Sequence, residues 1–177
     1  ETYSSYYVLK HVYDSNGKPI EGMYKDVNND GSVDHSDRRF YKSAEPKILI
    51  GFTSNIQYKN WDVNLKLRSA IGNYMYNNID AYLGTFGLLP DNRTKDALYT
   101  NFKYRPYFSD YYVQKASFVR MENFTIGYSF KQFLGKDIKA RFYAGGKNLF
   151  TITDYKGLNP EAPNGIDYNN YPQARIF

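Results

Sequence analysis

The chain has 177 residues, enough for one domain of ordinary size, but its aromatic content is unusual. Twenty Tyr, twelve Phe and one Trp make up 19% of the residues, while the mean hydropathy is only −0.67. No stretch approaches the roughly 18 apolar residues of a membrane-spanning helix, and a sequence without Cys cannot be a disulfide scaffold. The net charge of +5 is mild and Lys and Arg form no run, so the sequence predicts no nucleic-acid partner.

An acidic loop, residues 26–37, is the first informative segment within the longer irregular stretch 26–47. Oxygen-bearing side chains stand at loop positions 1, 3, 5, 9 and 12, with Gly31 at position 6. This spacing is typical of loops that wrap around Ca²⁺, although position 12 is Asp instead of Glu and the flanks do not read as helices. An Asx-rich turn is the alternative. The predicted ligands of a structural calcium ion are Asp26, Asn28, Asp30, Ser32 (through its carbonyl), Asp34 (through water) and Asp37.

Residues 48–71 alternate with a period of two, which predicts two strands, 48–58 and 61–71, joined by the tight link Lys59-Asn60. One face of the pair is apolar. The other face carries Asp62, Lys66 and Arg68, which the packed core of a sandwich would not accept but a wet lumen would.

The long segment 72–117 is predicted to be a loop. It is rich in Tyr and Phe, whose rings stack on sugars and anchor protein interfaces. Packing of the loop against its neighbours is the alternative for each ring. The candidate contacts to a substrate or to a lid protein are Tyr74, Tyr76, Tyr82, Phe86 and Tyr107.

A second pair of strands is predicted at 118–130 and 138–150, with a short link between them and a long loop at 151–171. Alternation in the first strand assigns Phe124, Ile126 and Tyr128 to one face. The same count extends that face back through Glu122 and Arg120, so its upper half is expected to be polar.

The strand lengths and the links together predict a membrane barrel. Strands of about 10–13 residues exceed those of soluble sheets and match the 9–11 residues of a tilted membrane-spanning strand. Long and short links alternate, as they do between the extracellular and periplasmic sides of outer-membrane barrels. Aromatic side chains stand beside the short links, where an interfacial girdle belongs. The predicted fold is therefore an all-β, antiparallel transmembrane β-barrel segment; the alternative is a soluble, calcium-stabilised β-sandwich that binds glycans for a secreted enzyme.

The sequence predicts no enzyme. It has no Cys nucleophile, no Gly-x-Ser-x-Gly and no phosphate loop. Its two histidines, His11 and His35, are expected to be packing or surface residues. The chain also opens without Met or a signal peptide, so we expect either a processed product or a piece of a longer protein.

Four segments resemble one known family. They are 13–38, Glu45-Pro46-Lys47 with the strand that follows, 112–128, and 146–155 with Asn159-Pro160-Glu161 and 171–175. In this order they resemble the C-terminal part of SusC/RagA-type TonB-dependent outer-membrane transporters of Bacteroidetes.

The resemblance implies a 22-strand barrel closed by an N-terminal plug, of which this chain would supply the C-terminal strands, with 26–47, 72–117 and 151–171 as extracellular loops. It also implies a bacterial outer-membrane location, surrounding lipid and a SusD-like surface lipoprotein as lid. The implied activity is import of oligosaccharides or peptides, powered through TonB. The plug and most strands would lie outside this chain, and its last strand would be truncated.

Overall fold

The computed structural model describes residues 4–88, 90, 92–132, 138–168 and 173–177. Eleven strands are found in this part of the chain, with two short helices. The strands are β1 (Ser5–Val8), β2 (His11–Tyr13), β3 (Pro19–Tyr24), β4 (Arg39–Ser43), β5 (Ile48–Tyr58), β6 (Trp61–Ile71), β7 (Tyr74–Tyr76), β8 (Val113–Lys115), β9 (Phe118–Phe130), β10 (Ala140–Lys147) and β11 (Thr151–Thr153). The helices are α1 (Asn78–Leu83) and α2 (Asp96–Thr100).

Four long strands form one antiparallel sheet in the order β5–β6–β9–β10, which we call the wall. β5 and β6 pair along their whole length, from Ile48 opposite Ile71 to Tyr58 opposite Trp61. The link between them turns at Lys59, whose φ is 54°. The predicted strands 48–58, 61–71 and 118–130 are confirmed at both of their ends.

A β-bulge in β9 corrects one predicted face. Lys66 of β6 lies opposite Asn123, but the next residue, Leu67, lies opposite Met121, so Glu122 is the extra residue. Because one extra residue shifts the alternation, Arg120 comes to lie opposite Arg68 on the polar face. The expectation that Arg120 and Glu122 share the face of Phe124 was wrong for this reason.

The last predicted strand, 138–150, is also shorter than expected. β10 ends at Lys147, Asn148 turns with a φ of 53°, and β11 then resumes pairing with the upper part of β9. Lys147 further exchanges two backbone hydrogen bonds with Ile176 (2.8 and 3.1 Å), so the end of the chain lies along β10. Most of the short link, at 133–137, and the end of the 151–171 segment, at 169–172, lie outside the described residues.

One face of the wall is apolar and uncovered. Five side chains of this face on β5 are 48% to 65% exposed, and no described segment packs on them. They are Ile48, Ile50, Phe52, Ile56 and Tyr58. At the short-link end, the rings of Trp61 and Tyr128, two residues of the predicted aromatic girdle, meet edge to face at 4.8 Å.

Above the wall, the described residues within 4–47, 72–117 and 154–168 fold into what we call the crown. Its core is aromatic, with Tyr6, Tyr76 and Tyr112 buried together with Val8 and Val113. The predicted loop 72–117 therefore contains regular elements: β7 pairs with β8, and α1 and α2 lie between them. Neither of these helices, nor any other in the described part of the chain, has the length and apolar character to cross a bilayer.

Candidate functional site: the polar wall face and the crown

The polar face of the wall is lined by side chains that satisfy one another. In its middle, the Asn64 amide donates to Asn55 Oδ1, and Asn123 Nδ2 donates to Asn64 Oδ1 at 2.8 Å. These amides connect β5, β6 and β9 across the sheet. A surface built this way is hydrophilic without carrying net charge, which suits the wall of an aqueous passage.

Nearer the short links, the polar face holds an ion pair. Arg141 of β10 donates Nε and Nη2 to the two oxygens of Asp62 on β6, at 3.0 and 2.6 Å. The pair crosses β9 at Gly127, where an added Cβ would lie 2.7 Å from Asp62 Oδ1 and 2.8 Å from Arg141 Nη2. Because Gly127 of β9 has no side chain, Asp62 of β6 and Arg141 of β10 have the space to meet across it.

At the long-loop end, four charged residues form a cluster that we call the clasp: Arg68, Arg120, Glu122 and Glu161. Arg68 donates to Glu122 at 2.5 Å and to both oxygens of Glu161. Arg120 donates to the same Glu161 at 3.0 Å and to Gln173 at 2.8 Å. Because Glu161 belongs to the crown and the other three residues to the wall, the clasp fastens the crown to the wall.

The clasp is sheltered from solvent at Arg120. Arg120 is only 3% exposed, and both guanidinium groups lie over the ring of Phe118, at 5.0 Å for Arg120 and 5.5 Å for Arg68. Two arginines face two glutamates, and Lys66 Nζ lies 3.0 Å from Glu122 Oε2, so the group with Lys66 carries one excess positive charge. The hydrogen bond from Arg68 lowers the pKa of Glu161, and the charge of Arg120 acts in the same direction.

The sequence analysis identified the segments that carry these residues, but it did not predict that their side chains contact one another. Arg120 and Glu122 belong to one family-like segment, and Glu161 and Gln173 belong to another. The available signal was complementary charge and hydrogen-bonding capacity in separate segments. The bulge at Glu122, which alternation does not show, is what turns Arg120 toward its partners.

The five aromatic residues predicted to contact a substrate or lid do not form one surface. Tyr76 is 3% exposed and its ring centroid lies 4.1 Å from that of Phe108, so it is a core residue of the crown. Phe86 is half-buried, and its backbone N–H donates to Phe102 O at 2.7 Å. Tyr76 and Phe86 therefore pack within the crown, which was the alternative interpretation of these rings.

The other three rings lie at the crown surface in different places. Tyr82 is exposed, with the Arg105 guanidinium 5.1 Å above its ring. Tyr107 is exposed, and its N–H donates to the Tyr24 hydroxyl at 2.9 Å. Tyr74 is half-buried beside a cavity between β4 and β7. Their availability to a ligand stays a prediction.

In the acidic loop the side-chain oxygens accept hydrogen bonds from the loop's own backbone. Asp26 accepts from the N–H groups of Asn29 (2.6 Å) and Gly31 (2.9 Å), and Gly31 has a φ of 87°. Asp30 accepts from the Ser32 N–H at 2.8 Å. The loop is therefore folded on itself by Asx turns, which the sequence analysis named as the alternative, and calcium binding stays a prediction.

Asp37, at position 12, closes the loop. It is fully buried and accepts from the N–H groups of Val27 (2.6 Å) and Asp34 (2.9 Å), and these bonds lower its pKa. Asp34 caps the turn that follows by accepting from Ser36 N at 2.7 Å. Among the described residues, no three acidic, His or Cys side chains converge closely enough to form a metal centre by themselves.

His11 is a packing residue, as expected from the sequence. It is buried between the rings of Tyr24 (4.9 Å) and Phe102 (5.8 Å), and its Nε2 lies 3.0 Å from Ile20 O. Burial lowers the pKa of His11, so the neutral ring is the favoured form. His35, by contrast, is exposed at the surface of the acidic loop.

A second crown cavity, of about 680 Å³, lies between α1, α2 and residues 156–158. Asp80 and Asp96 both line it, and burial raises the pKa of each carboxyl group. Asp96 Oδ1 accepts from the Tyr111 hydroxyl at 2.9 Å, and Asp80 Oδ2 accepts from Asn77 at 2.6 Å. The first bond ties the start of α2 to Tyr111, and the second closes the first turn of α1. Asp96 Oδ2 is buried and has no hydrogen-bond partner among the described residues.

The chain is similar to two receptors. It is 40% identical over 186 residues to the TonB-dependent receptor SusC of Bacteroides thetaiotaomicron, a match covering 98% of this chain and 18% of the receptor. It is 29% identical over 180 residues to the TonB-dependent receptor P3 of Formosa agariphila, covering 88% of this chain and 18% of that protein. No protein-family profile matches the chain. The chain thus spans less than a fifth of the length of these relatives.

Solved structures show the same fold. The chain superposes on the RagAB peptide transporter with a TM-score of 0.76 at 24% identity, covering 97% of this chain and 21% of that one. It superposes on the RagAB peptide importer in its 'closed-closed' state with a TM-score of 0.72 at 25% identity, covering 97% and 22%. Together with the sequence match to SusC, this establishes that the chain belongs to the SusC/RagA-type TonB-dependent receptors and that its wall is part of their β-barrel.

Proposed function

We propose that the chain is part of an outer-membrane importer that moves oligosaccharides or peptides inward with energy supplied through TonB. In this proposal the apolar wall face meets outer-membrane lipid, the polar face lines the lumen and the crown lies outside the cell. The rest of the barrel and its plug complete the passage, and a SusD-like surface lipoprotein covers the crown. In this proposal the chain catalyses no reaction; it contributes to binding the substrate and to letting it pass through the barrel.

The uncovered apolar face is the observation that carries the proposal. Ile50, Phe52 and Ile56 of this face are 48% to 58% exposed, which costs free energy in water but not in hydrocarbon. Among the described residues, β5 has an open strand edge, and so does β10 except where Lys147 pairs with Ile176; in lipid these edges must pair with further strands. A soluble β-sandwich would need a second sheet over this face, and the match to barrel structures overturns that alternative.

The proposal is tested with the full-length receptor in a bacterium that lacks its own copy. We expect the protein in the outer-membrane fraction, growth on an oligosaccharide or peptide that the deletion strain cannot use, and loss of that growth when tonB is also deleted. When the receptor is purified in mild detergent, a surface lipoprotein should co-purify with it. Uptake that persists without TonB, or a receptor found in the aqueous fraction, would contradict the proposal.

We further propose that the acidic loop binds calcium as a structural ion. The residues that would hold it are Asp26, Asn28, Asp30, the Ser32 carbonyl, Asp34 through water, and Asp37. The donor set fits the ion, because all are oxygen ligands and each carboxylate oxygen of Asp26 and Asp30 accepts one hydrogen bond, which leaves it a second lone pair. Bound calcium would supply charge neutralisation to a loop that carries four carboxylates.

Calcium binding is measured by isothermal titration of the full-length receptor after chelation, with Asp30→Asn as the variant and Asp14→Asn as its control. Asp14 is an acidic turn residue outside the loop, where it accepts from Asn16 N and Lys18 N. We expect one calcium site per receptor in the wild type and the control, weakened at least tenfold in Asp30→Asn. Equal binding in all three proteins would place the ion elsewhere.

A further inference from the structure

A cavity of about 670 Å³ opens at the long-loop end of the wall, between β4, the start of β5 and β7. Two lysines, Lys42 and Lys47, line it together with the rings of Tyr41 and Tyr74. Tyr74 is one of the aromatic residues singled out from the sequence as a substrate contact, and the two lysines were not. Both lysines are held in place, although exposed lysines are usually mobile.

Lys42 is held by its backbone and by two rings. Its φ of 47° is in the left-handed region, which costs a residue with a side chain about 1–2 kcal/mol. Its ammonium lies 5.5 Å from the ring centroid of Tyr41 and 5.2 Å from that of Tyr74. The strained backbone therefore delivers a charge to a fixed place between two aromatic faces, and such strain clusters at ligand sites.

Lys47 is held by a different device. Its N–H donates to Ile71 O at 2.9 Å, so the β5–β6 ladder continues by one rung and brings Lys47 opposite Gly72. An added Cβ at Gly72, where φ is 87°, would lie 3.0 to 3.2 Å from three carbons of the Lys47 side chain. The lysine stem thus lies across a glycine. Because side chains alternate between the two faces of a strand, Lys47 lies on the same face as Thr53 and Asn55, which is the polar face.

The charge in this cavity is not balanced. Glu45 is the acidic residue of the lining, and its Oε1 accepts from the Ser4 hydroxyl at 2.6 Å. Within the described residues, neither Lys42 nor Lys47 has a carboxylate within ion-pair distance. The remaining lining side chains are neutral, so the cavity presents two fixed cations against one anion.

We propose that this cavity binds a carboxylate group of the transported substrate, with Lys42 and Lys47 as its cationic partners and the Tyr74 ring as an apolar wall. The proposal rests on the import function above and names the chemistry of the substrate: an acidic peptide or a uronic-acid oligosaccharide. Either source offers the same carboxylate, which the two ammonium groups that line the cavity attract.

The experiment uses the full-length receptor in detergent and two pairs of fluorescent ligands. The first pair is an acidic peptide and its amide-capped neutral analogue; the second is a glucuronate-containing oligosaccharide and its neutral glucose counterpart. The variants are Lys42→Asn, which tolerates the left-handed backbone, and Lys47→Gln. Lys103→Gln, at an exposed crown lysine outside this cavity, is the matched control, and Lys42→Arg keeps the charge.

We expect one carboxylate ligand to bind the wild type at least tenfold more tightly than its neutral analogue. Lys42→Asn and Lys47→Gln should each weaken that ligand about tenfold and leave the neutral analogue within twofold. Lys103→Gln and Lys42→Arg should bind as the wild type does, which also shows that the cavity still folds. Growth on the carboxylate substrate should fall with binding.

Three results would overturn the proposal. They are equal affinity for the charged and neutral ligands, an unchanged affinity in both lysine variants, or no binding of either carboxylate ligand to the wild type. In the first two cases TonB-dependent uptake can persist, so the import function would stand while this site fails. Loss of uptake of every substrate by the wild-type receptor would instead contradict the import function itself.

Discussion

The wall and the crown are stabilised in opposite ways. The wall is one sheet without an interior: its strands are held by ladder hydrogen bonds, and its apolar side chains face outward. The crown has short strands and helices around a buried aromatic core, like a small soluble domain. One chain therefore contains a part that needs lipid and a part that buries its own apolar surface. The clasp of Arg68, Arg120, Glu122 and Glu161 is where the two are fastened together.

This difference determines what a substitution does. In the wall, an outward apolar residue matters for its contact with lipid, and a polar one faces water. In the crown, the same residue types matter for packing, as in any closed core. Paired substitutions in each region test this contrast.

The largest effect is expected at the centre of the crown core. Tyr112 is fully buried, so Tyr112→Ala leaves a cavity and should lower the free energy of opening of the crown by about 3–5 kcal/mol. The Tyr112 hydroxyl has no hydrogen-bond partner among the described residues, so Tyr112→Phe should be neutral or slightly stabilising. Hydrogen exchange of crown amides in the full-length receptor measures both. A large loss in Tyr112→Phe would reveal a partner for the hydroxyl and contradict this assignment.

How much of this contrast the sequence could predict depends on the region. Alternation located three wall strands at their bounds, because a sheet exposed to two different solvents imposes a strict period of two. The bulge at Glu122 and the break at Asn148 were missed, since one extra residue leaves no mark in composition. The pattern also failed in the crown, whose short elements are fixed by contacts distant in sequence, such as the bond from the Tyr6 hydroxyl to Gly165 O at 2.6 Å.

The candidate sites show the same division. The acidic loop was located from its local spacing, because its hydrogen bonds join residues close in sequence, such as Asp26 and Gly31. Tyr76 was selected as a surface ring from residue type alone, and only the tertiary fold shows that it is buried. The lysines of the proposed carboxylate site were missed since their shared feature is a fixed position in the fold, not a motif.

The second prediction compares the two faces of the wall. Leu65 lies opposite Phe124 on the apolar face, so Leu65→Lys would place a charge in hydrocarbon and should cost about 2–4 kcal/mol. Asn64→Lys, one residue earlier, places the same charge on the polar face and should cost much less. Urea unfolding of the full-length receptor in lipid vesicles measures the two midpoints. Equal losses would mean that the outward face does not meet lipid.

The third prediction compares two glycines on the polar face. An added Cβ at Gly145 would lie 2.5 Å from Phe124 O, a backbone atom that cannot move alone, so Gly145→Ala should cost about 1–3 kcal/mol. At Gly127 the nearest atoms are the flexible ends of Asp62 and Arg141, which can shift, so Gly127→Ala should cost under about 1 kcal/mol. The same unfolding measurement ranks them. The reverse order would mean that the Asp62–Arg141 pair is more rigid than the strand backbone.

The smallest effect is expected at the clasp, and it depends on pH. Glu161 is about one-third exposed, so Glu161→Gln should loosen the crown by only about 1 kcal/mol at pH 7. Because hydrogen bonds and charges from Arg68 and Arg120 lower the pKa of Glu161 below its ordinary value of 4.5, the carboxylate stabilises the folded state above that pH. This stabilisation is lost as the pH falls through the lowered pKa.

The measurement is the thermal unfolding midpoint of the full-length receptor in detergent between pH 7 and pH 3, for the wild type and Glu161→Gln. The two midpoints should differ at pH 7 and converge below pH 4.5, since protonated Glu161 and the glutamine side chain of the variant are both neutral and both hydrogen-bond weakly to the arginines. Glu21→Gln serves as the control, because its Oε1 accepts from the N–H groups of Lys103 and Tyr104 in the crown and touches no residue of the clasp. A constant difference at every pH would mean that Glu161 acts through packing, and the crown would then be fastened by shape instead of charge.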